Sequence, residues 1–92
     1  MKDELKNIRI QTADFSAIVD EVLQSVVSVN TDRGLGSGVI IDGRGYIATN
    51  VHIISGATTI RVMAYSGKKY NANVIGYDEA SDIAVLKVGS SD

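Results

Sequence analysis

Cysteine, proline and tryptophan are absent from this sequence, and histidine occurs only once, as His52. Without cysteine the chain can form no disulfide, no thiolate nucleophile and no thiolate-ligated metal site. One imidazole and scattered carboxylates make a poor ligand set for a transition metal, so we expect no metal centre. Aromatic residues are also rare, with four tyrosines and one phenylalanine. The core must therefore be built mainly from Val, Ile, Leu and Ala, and this composition favours strands.

Neither sign of charge dominates, since 9 Lys and Arg residues stand against 11 Asp and Glu residues. No basic run is longer than Lys68–Lys69, whereas nucleic-acid binding needs a concentrated positive surface, so we expect no nucleic-acid partner. Residues 1–13 form a polar arm that lacks the apolar core of a signal peptide. No segment approaches the length of a transmembrane helix, about 18 apolar residues, so we expect no membrane span in this chain.

A helix is predicted over residues 14–24, because apolar residues recur there at helical spacing and would share one face. The simplest interpretation is that this apolar face packs against the chain's own domain. The residues that form the face are Phe15, Ile18, Val19, Val22 and Leu23.

Short strands separated by glycine-containing turns are predicted for the rest of the chain, residues 25–92. The segment DIAVLKV at residues 82–88 is almost continuously apolar and predicts a strand that is buried on both faces. Strands at this close spacing predict a mostly β protein, a six-stranded antiparallel β-barrel with a short N-terminal helix. The six segments are residues 25–30, 37–41, 45–50, 58–65, 69–77 and 82–88.

A glycine-rich stretch, GLGSG at residues 34–38, raises the question of a phosphate-binding loop. The P-loop pattern would need a later Gly-Lys-Ser/Thr, and the dinucleotide pattern would need glycine at position 39, where valine stands. We therefore interpret these glycines as a hinge or bulge that lets a strand bend sharply. The sequence predicts no cofactor.

His52 and Asp82 are the two candidate catalytic residues. An isolated histidine beside Ile53 and Ile54 is more often a core residue whose hydrogen bonds are satisfied. Asp82, however, opens the most apolar strand, which is expected to place its carboxylate near low-dielectric surroundings, where it must find a partner. An aspartate that accepts from one imidazole nitrogen fixes the tautomer of the ring and stabilises the imidazolium, as in acyl-transfer enzymes. Spacing alone does not establish contact, so both interpretations stay open at this point.

From Phe15 to Val88 the chain resembles the first half of the HtrA/DegP-like serine proteases, which have a trypsin-like double barrel. The resemblance lies in SVVSV, GLGSGVIIDGRGYIATNVHII and YSGKKYNANVIGYDEASDIAVLKV, with the Asp 30 positions after the His. It implies that His52 is the general base and Asp82 the acid that orients it. It also implies unfolded or misfolded polypeptides as substrates, a location outside the cytoplasm and assembly into homo-oligomers.

The family's nucleophilic serine lies in a Gly-Asn-Ser-Gly-Gly type of loop in the second barrel, and these 92 residues contain no such loop. We therefore expect a polar arm at 1–13, an amphipathic helix at 14–24 and an N-terminal barrel at 25–92, without the second barrel and without activity alone. The flank that this would expose is expected around Ile83–Leu86, together with Val51, Ile53 and Ile54 around His52. The alternative is a non-catalytic barrel that serves as a binding or oligomerisation module.

Overall fold

Six antiparallel strands form a closed barrel in the computed structural model, which describes residues 12–91 and the side chains of residues 16–89. A helix precedes the barrel, and a second, very short helix lies between two of its strands. Most of the predicted polar arm, residues 1–11, lies outside the described residues. The elements are α1 (Thr12–Ser25), β1 (Val26–Thr31), β2 (Gly34–Asp42), β3 (Tyr46–Thr49), α2 (Val51–Ile54), β4 (Ile60–Met63), β5 (Lys69–Asp78) and β6 (Ile83–Ser91).

The strand order around the barrel is β1-β2-β3-β6-β5-β4, and β4 closes the barrel by pairing with β1. Every neighbouring pair is antiparallel. The predicted fold class, a mostly β six-stranded antiparallel barrel with one short N-terminal helix, is therefore confirmed for the described residues. Neither described helix is long and apolar enough to cross a membrane.

The core consists of alternate residues of the strands, which point into the barrel because successive side chains of a strand lie on opposite faces. On β1, for example, Val27 and Val29 are buried while Val26 and Asn30 are exposed. Burying one such aliphatic side chain contributes about 1.5–3 kcal/mol. The buried hydrophobic residues are Val27, Val29, Ile47, Ile54, Ile60, Val62, Ala72, Ala84 and Leu86.

The predicted burial of residues 82–88 on both faces is wrong. β6 begins at Ile83 rather than at Asp82. Ala84 and Leu86 are completely buried, but Ile83 between the turn and Ala84 is 44% exposed. A barrel has a single interior, so a strand that lacks a second layer outside it buries only one of its faces.

The apolar face of α1 is largely uncovered, so the interpretation that it packs against the barrel is wrong for this face. Ile18, Val22 and Leu23 are between 43% and 54% exposed, and Val19 is half-buried. The side chain of Phe15 lies outside the described side chains. α1 runs directly into β1 without a loop, because Ser25 ends the helix and Val26 begins the strand.

The glycine-rich stretch forms the first part of β2, where Gly36 and Gly38 meet a need for space, whereas a Cβ at Gly34 would meet nothing within 4 Å. A Cβ added at Gly36 would lie 2.6–2.8 Å from three side-chain atoms of Ile53. One added at Gly38 would lie 2.8 Å from Cγ2 of Ile47. Glycine at position 36 thus lets α2, which carries Ile53, approach β2 closely.

Candidate active site

α2 places His52 at one end of the barrel, directly after β3. The helix has only four residues, and its last residue, Ile54, is buried in the core. His52 points the other way, with 66% of its side chain exposed. A short helix anchored on one side and open on the other presents a titratable ring to solvent while fixing its backbone.

Asp82 ends the turn that connects β5 and β6. Its φ of +58° makes it the one residue other than glycine with positive φ among the described residues. Asp is one of the few residue types that tolerate the left-handed region. In this conformation both the carbonyl and the carboxylate of Asp82 bond to the segment that carries His52.

The structure brings His52 and Asp82 together through two hydrogen bonds. The backbone N–H of His52 donates to Oδ1 of Asp82 at 2.9 Å. Nδ1 of the imidazole lies 2.5 Å from Oδ2 of the same carboxylate. One carboxylate therefore binds the main chain and the ring of the same residue, which fixes the position of His52 and the orientation of its ring.

The pKa of Asp82 is held below its usual value, first by the hydrogen bond from the backbone N–H of His52 and then by that from its ring. The expectation of low-dielectric surroundings for this carboxylate is wrong, because 42% of the side chain is exposed. The reason is that Asp82 lies in the turn before β6 and not in the strand. Hydrogen bonds rather than burial keep the carboxylate in place and ionised.

Asn50 belongs to the same cluster and was not singled out from the sequence. Its Nδ2 donates to the carbonyl oxygen of Asp82 at 3.0 Å, and the backbone N–H of Val51 donates to the same oxygen at 3.2 Å. The preceding residue, Thr49, is buried and donates to the carbonyl of Ser37 at 2.7 Å. The Thr-Asn pair before His52 was the available signal, but only the fold shows which groups these side chains reach.

Nε2 of His52 has no hydrogen-bond partner among the described residues. With Nδ1 engaged by a carboxylate, the free Nε2 is the atom that can accept a proton from a nucleophile. No hydroxyl of a described serine or threonine bonds to the ring. The site is thus an imidazole oriented through Nδ1, and its Nε2 makes no hydrogen bond to a described residue.

A family model described as the trypsin-like peptidase domain matches residues 36–92, which include both His52 and Asp82. The chain belongs to this family. A "Serine protease Do-like HtrA" of Lactococcus lactis is 43% identical to this chain over 88 residues, 87% of the chain and 21% of the relative. "Serine endoprotease DegS" of Escherichia coli is 48% identical over 59 residues, 64% of the chain and 17% of the relative.

Among solved structures, this chain is similar to an "HtrA-type protease AlgW with tripeptide", with a TM-score of 0.77 and 33% identity. The match covers 83% of this chain and 26% of that one. The resemblance to HtrA/DegP-like serine proteases is therefore confirmed. The chain spans only 12–21% of the length of the curated relatives that it matches.

Proposed function

We propose that this chain supplies the general base and its orienting acid to an HtrA-like serine endopeptidase. His52 is the base and Asp82 the acid that orients it. The observation that carries the proposal is the double hydrogen bond from His52 to one carboxylate, which leaves Nε2 free. The family membership supports it, because residues 36–92 match the peptidase model across both positions.

In this function Nε2 of His52 takes the proton of a serine hydroxyl as its oxygen attacks the peptide carbonyl carbon. The imidazolium then gives that proton to the leaving amine as the C–N bond breaks, and a water molecule repeats the sequence on the acyl-enzyme. The serine lies outside the 92 residues, in a second barrel of the complete protein. Base and orienting acid alone provide neither the covalent step nor the oxyanion hole.

Asp82 keeps the proton of neutral His52 on Nδ1 and stabilises the imidazolium after proton transfer. A carboxylate can do this only while it is ionised. An ordinary aspartate is already ionised at neutral pH, and the hydrogen bonds from His52 lower the pKa of Asp82 further, so the carboxylate stays ionised into the acid range. Asp82 therefore acts without changing its own protonation state.

The substrates of the complete enzyme are unfolded or misfolded polypeptides, and it acts outside the cytoplasm as a homo-oligomer. The resemblance to the HtrA/DegP-like family supports these points. Relatives are named "Periplasmic serine endoprotease DegP" in Escherichia coli and "Probable periplasmic serine protease do/HhoA-like" in Haemophilus influenzae. Identities of 47% and 49% to this chain support carrying the location over.

The test compares the 92-residue chain with the longest protein product of its gene, using unfolded casein as substrate. In the longer product, His52→Ala should abolish turnover and Asp82→Asn should lower kcat by about 10⁴-fold, because the asparagine favours the wrong tautomer. Asp42→Asn is the matched control. It also removes a carboxylate with a lowered pKa, but one that pairs with Arg44 at the β2–β3 turn, and activity should persist.

The 92-residue chain should not cleave casein, since it contains no nucleophile loop of the family type. Cleavage by the longer product that survives His52→Ala would contradict the proposal. A longer product with no cleavage at all would favour the non-catalytic binding or oligomerisation module. Cleavage by the short chain that depends on His52 would show that the nucleophile lies within it.

A further inference from the structure

We propose that Asn50 is a positioning residue for the His52–Asp82 pair, because its side-chain amide holds Asp82 in the left-handed backbone conformation. The inference rests on the proposed function for its catalytic meaning but on geometry alone for its structural part. The residues involved are Asn50, Val51 and His52 at the start of α2, and Asp82 in the β5–β6 turn.

Asp82 occupies a backbone conformation that is unfavourable for an L-residue, at a φ of +58°. Such a conformation persists only where the surrounding contacts determine it. The peptide groups on both sides of Asp82 are engaged. Its N–H donates to the carbonyl of Glu79 at 3.1 Å, and its carbonyl accepts from Val51 and Asn50.

Asn50 does not use its side chain in the way that its position suggests. It directly precedes α2 in an extended conformation, the place where an asparagine side chain commonly caps its own helix. Here it makes no such bond. Its Nδ2 instead reaches the carbonyl of Asp82 at 3.0 Å, 32 residues away along the chain.

Asp82 performs the capping that Asn50 does not. Its carbonyl accepts the N–H of Val51 and its Oδ1 accepts the N–H of His52, the first two backbone donors of α2. These N–H groups have no partner within the helix itself. The two residues have thus exchanged roles. Asp82 accepts the hydrogen bonds of the first N–H groups of α2, and the side chain of Asn50 donates to the carbonyl of Asp82.

Loss of the Asn50 amide would leave one donor on the Asp82 carbonyl, the N–H of Val51 at 3.2 Å. Asp82 could then relax to negative φ, which swings its carboxylate away from α2. Both hydrogen bonds to His52 depend on that carboxylate. The ring would lose its orientation without any change in the residues that react.

The experiment uses NMR on the 92-residue chain, with Asn50→Ala and the control Asn30→Ala, which removes an exposed asparagine from β1. In Asn50→Ala, the couplings that report the φ of Asp82 should leave the left-handed range. Hydrogen exchange of the Val51 and His52 amides should accelerate about tenfold or more, while the protected amides of β1 and β6 exchange as in wild type. Asn30→Ala should change neither readout.

Asp82 remaining left-handed in Asn50→Ala, with wild-type exchange at Val51 and His52, would overturn the proposal. If Asn50→Ala does not fold, the proposal is tested on the wild-type chain instead. A scalar coupling across the hydrogen bond from Nδ2 of Asn50 to the carbonyl carbon of Asp82 is then expected, and its absence overturns the proposal.

A kinetic arm separates this proposal from the proposed function. In the longer gene product Asn50→Ala should lower kcat about tenfold or more while KM stays the same, since an orienting contact acts on the reaction and not on substrate binding. Unchanged kcat, or a rise in KM alone, would contradict a positioning role. The NMR readouts need no peptidase activity, so failure of the His52-dependent assay leaves them interpretable.

Discussion

The two hydrogen bonds between His52 and Asp82 depend on different parts of His52. The bond at 2.9 Å comes from the backbone N–H and survives any side-chain substitution except proline. The bond at 2.5 Å needs the imidazole. The backbone bond is also the larger cause of the lowered pKa of Asp82. At the scale of single residues, Asp82 is therefore held in place partly without the imidazole of His52.

His52→Ala should leave the pKa of Asp82 below its usual value, though higher than in wild type, because the backbone donor remains. A carbon-detected NMR titration of the Asp82 carboxyl measures this. The carboxyl of Asp42, whose pKa is lowered by Arg44, serves as an internal control and should not change. A return of Asp82 to the ordinary aspartate value would show that the backbone bond does not form.

Neutral His52 should carry its proton on Nδ1, because an ionised carboxylate can only accept hydrogen bonds. Nitrogen chemical shifts of the ring distinguish the two tautomers. In Asp82→Asn the amide can donate to Nδ1, so the proton should move to Nε2 in a larger share of molecules. A wild-type ring protonated mainly on Nε2 would be inconsistent with the pairing as an orienting contact.

At the scale of elements, α2 is too short to be stable by itself, since isolated helices below about 12–15 residues are marginal in water. Tertiary contacts hold it from several sides. Asp82 caps its beginning, Ile54 enters the core, and Ile53 fits against Gly36. After its end, Asp32 binds the loop at Thr58 and Thr59.

Gly36→Ala should destabilise the barrel by about 1–3 kcal/mol, the usual effect of overpacking. The added Cβ would lie 2.6–2.8 Å from three atoms of the β-branched Ile53 side chain, which has little freedom to move. Urea unfolding of the single variants and of Gly36→Ala with Ile53→Ala would show a coupling that restores part of the loss. Gly43→Ala is the control, since a Cβ there meets nothing within 4 Å. Equal effects at positions 36 and 43 would contradict the steric argument.

Asp32 should make the free energy of unfolding depend on pH in the acid range. Hydrogen bonds from the Thr58 hydroxyl and from the backbone N–H groups of Thr59 and Thr58 lower the pKa of Asp32 from 3.8 to about 2. A carboxyl whose pKa is lower in the folded chain than in the unfolded chain stabilises the folded state. The contribution is complete above the unfolded-state pKa and is lost as the pH falls through the folded-state pKa. Its stabilisation is therefore complete above about pH 4 and is lost toward about pH 2.

Unfolding of wild type and Asp32→Asn, measured in urea at several pH values in this range, tests the assignment. The asparagine variant should be less stable at neutral pH, and its stability should fall less steeply between about pH 4 and about pH 2. Asp20→Asn, which removes an exposed carboxylate from α1, provides the comparison. Identical pH profiles for wild type and Asp32→Asn would refute the role of Asp32.

At the scale of the whole molecule, the exposed apolar surface coincides with the flank expected from the sequence only at Ile83. Ala84, Leu86 and Ile54 are buried, so the expected flank around Ile83–Leu86 and His52 is mostly covered. We define the outer apolar surface as Val22 on α1 and the outward residues Val26, Val39 and Ile83, all of which are exposed. Val26 and Val39 pair directly across β1 and β2, and a shallow groove joins them to Ile83.

The 92-residue chain should associate with itself through the outer apolar surface, because monomers seldom leave contiguous apolar patches uncovered. A two-fold pairing would place this surface against its own copy and close without further growth. Sedimentation velocity over about a hundredfold range of concentration should show a dimer or larger species that dissociates on dilution.

Val39→Lys should weaken this association, because it places a charge at the centre of the outer apolar surface without touching the core. Ile75→Lys changes a similarly exposed residue of β5 and should have a smaller effect. A strictly monomeric wild type at all concentrations, without binding of an apolar dye, would show that the surface is not adhesive. Equal effects of both variants would assign the contact to another face.

The spacing of apolar residues, together with the glycine-containing turns, was enough to predict the barrel strands and α1, because side-chain periodicity is a local property of helices and strands. The family resemblance pointed to His52 and Asp82 from their spacing and flanking residues. The sequence did not reveal the left-handed conformation of Asp82, the exchange of capping roles with Asn50 or the hydrogen bonds of Asp32 to Thr58 and Thr59. The contacts of Asn50 and of Asp32 join segments at least 26 residues apart, and only the closure of the barrel decides which hydrogen-bonding groups meet. The prediction that residues 82–88 are buried on both faces was wrong for the same reason. An apolar run indicates that a segment can be buried, but the elements packed around it determine which of its faces is covered.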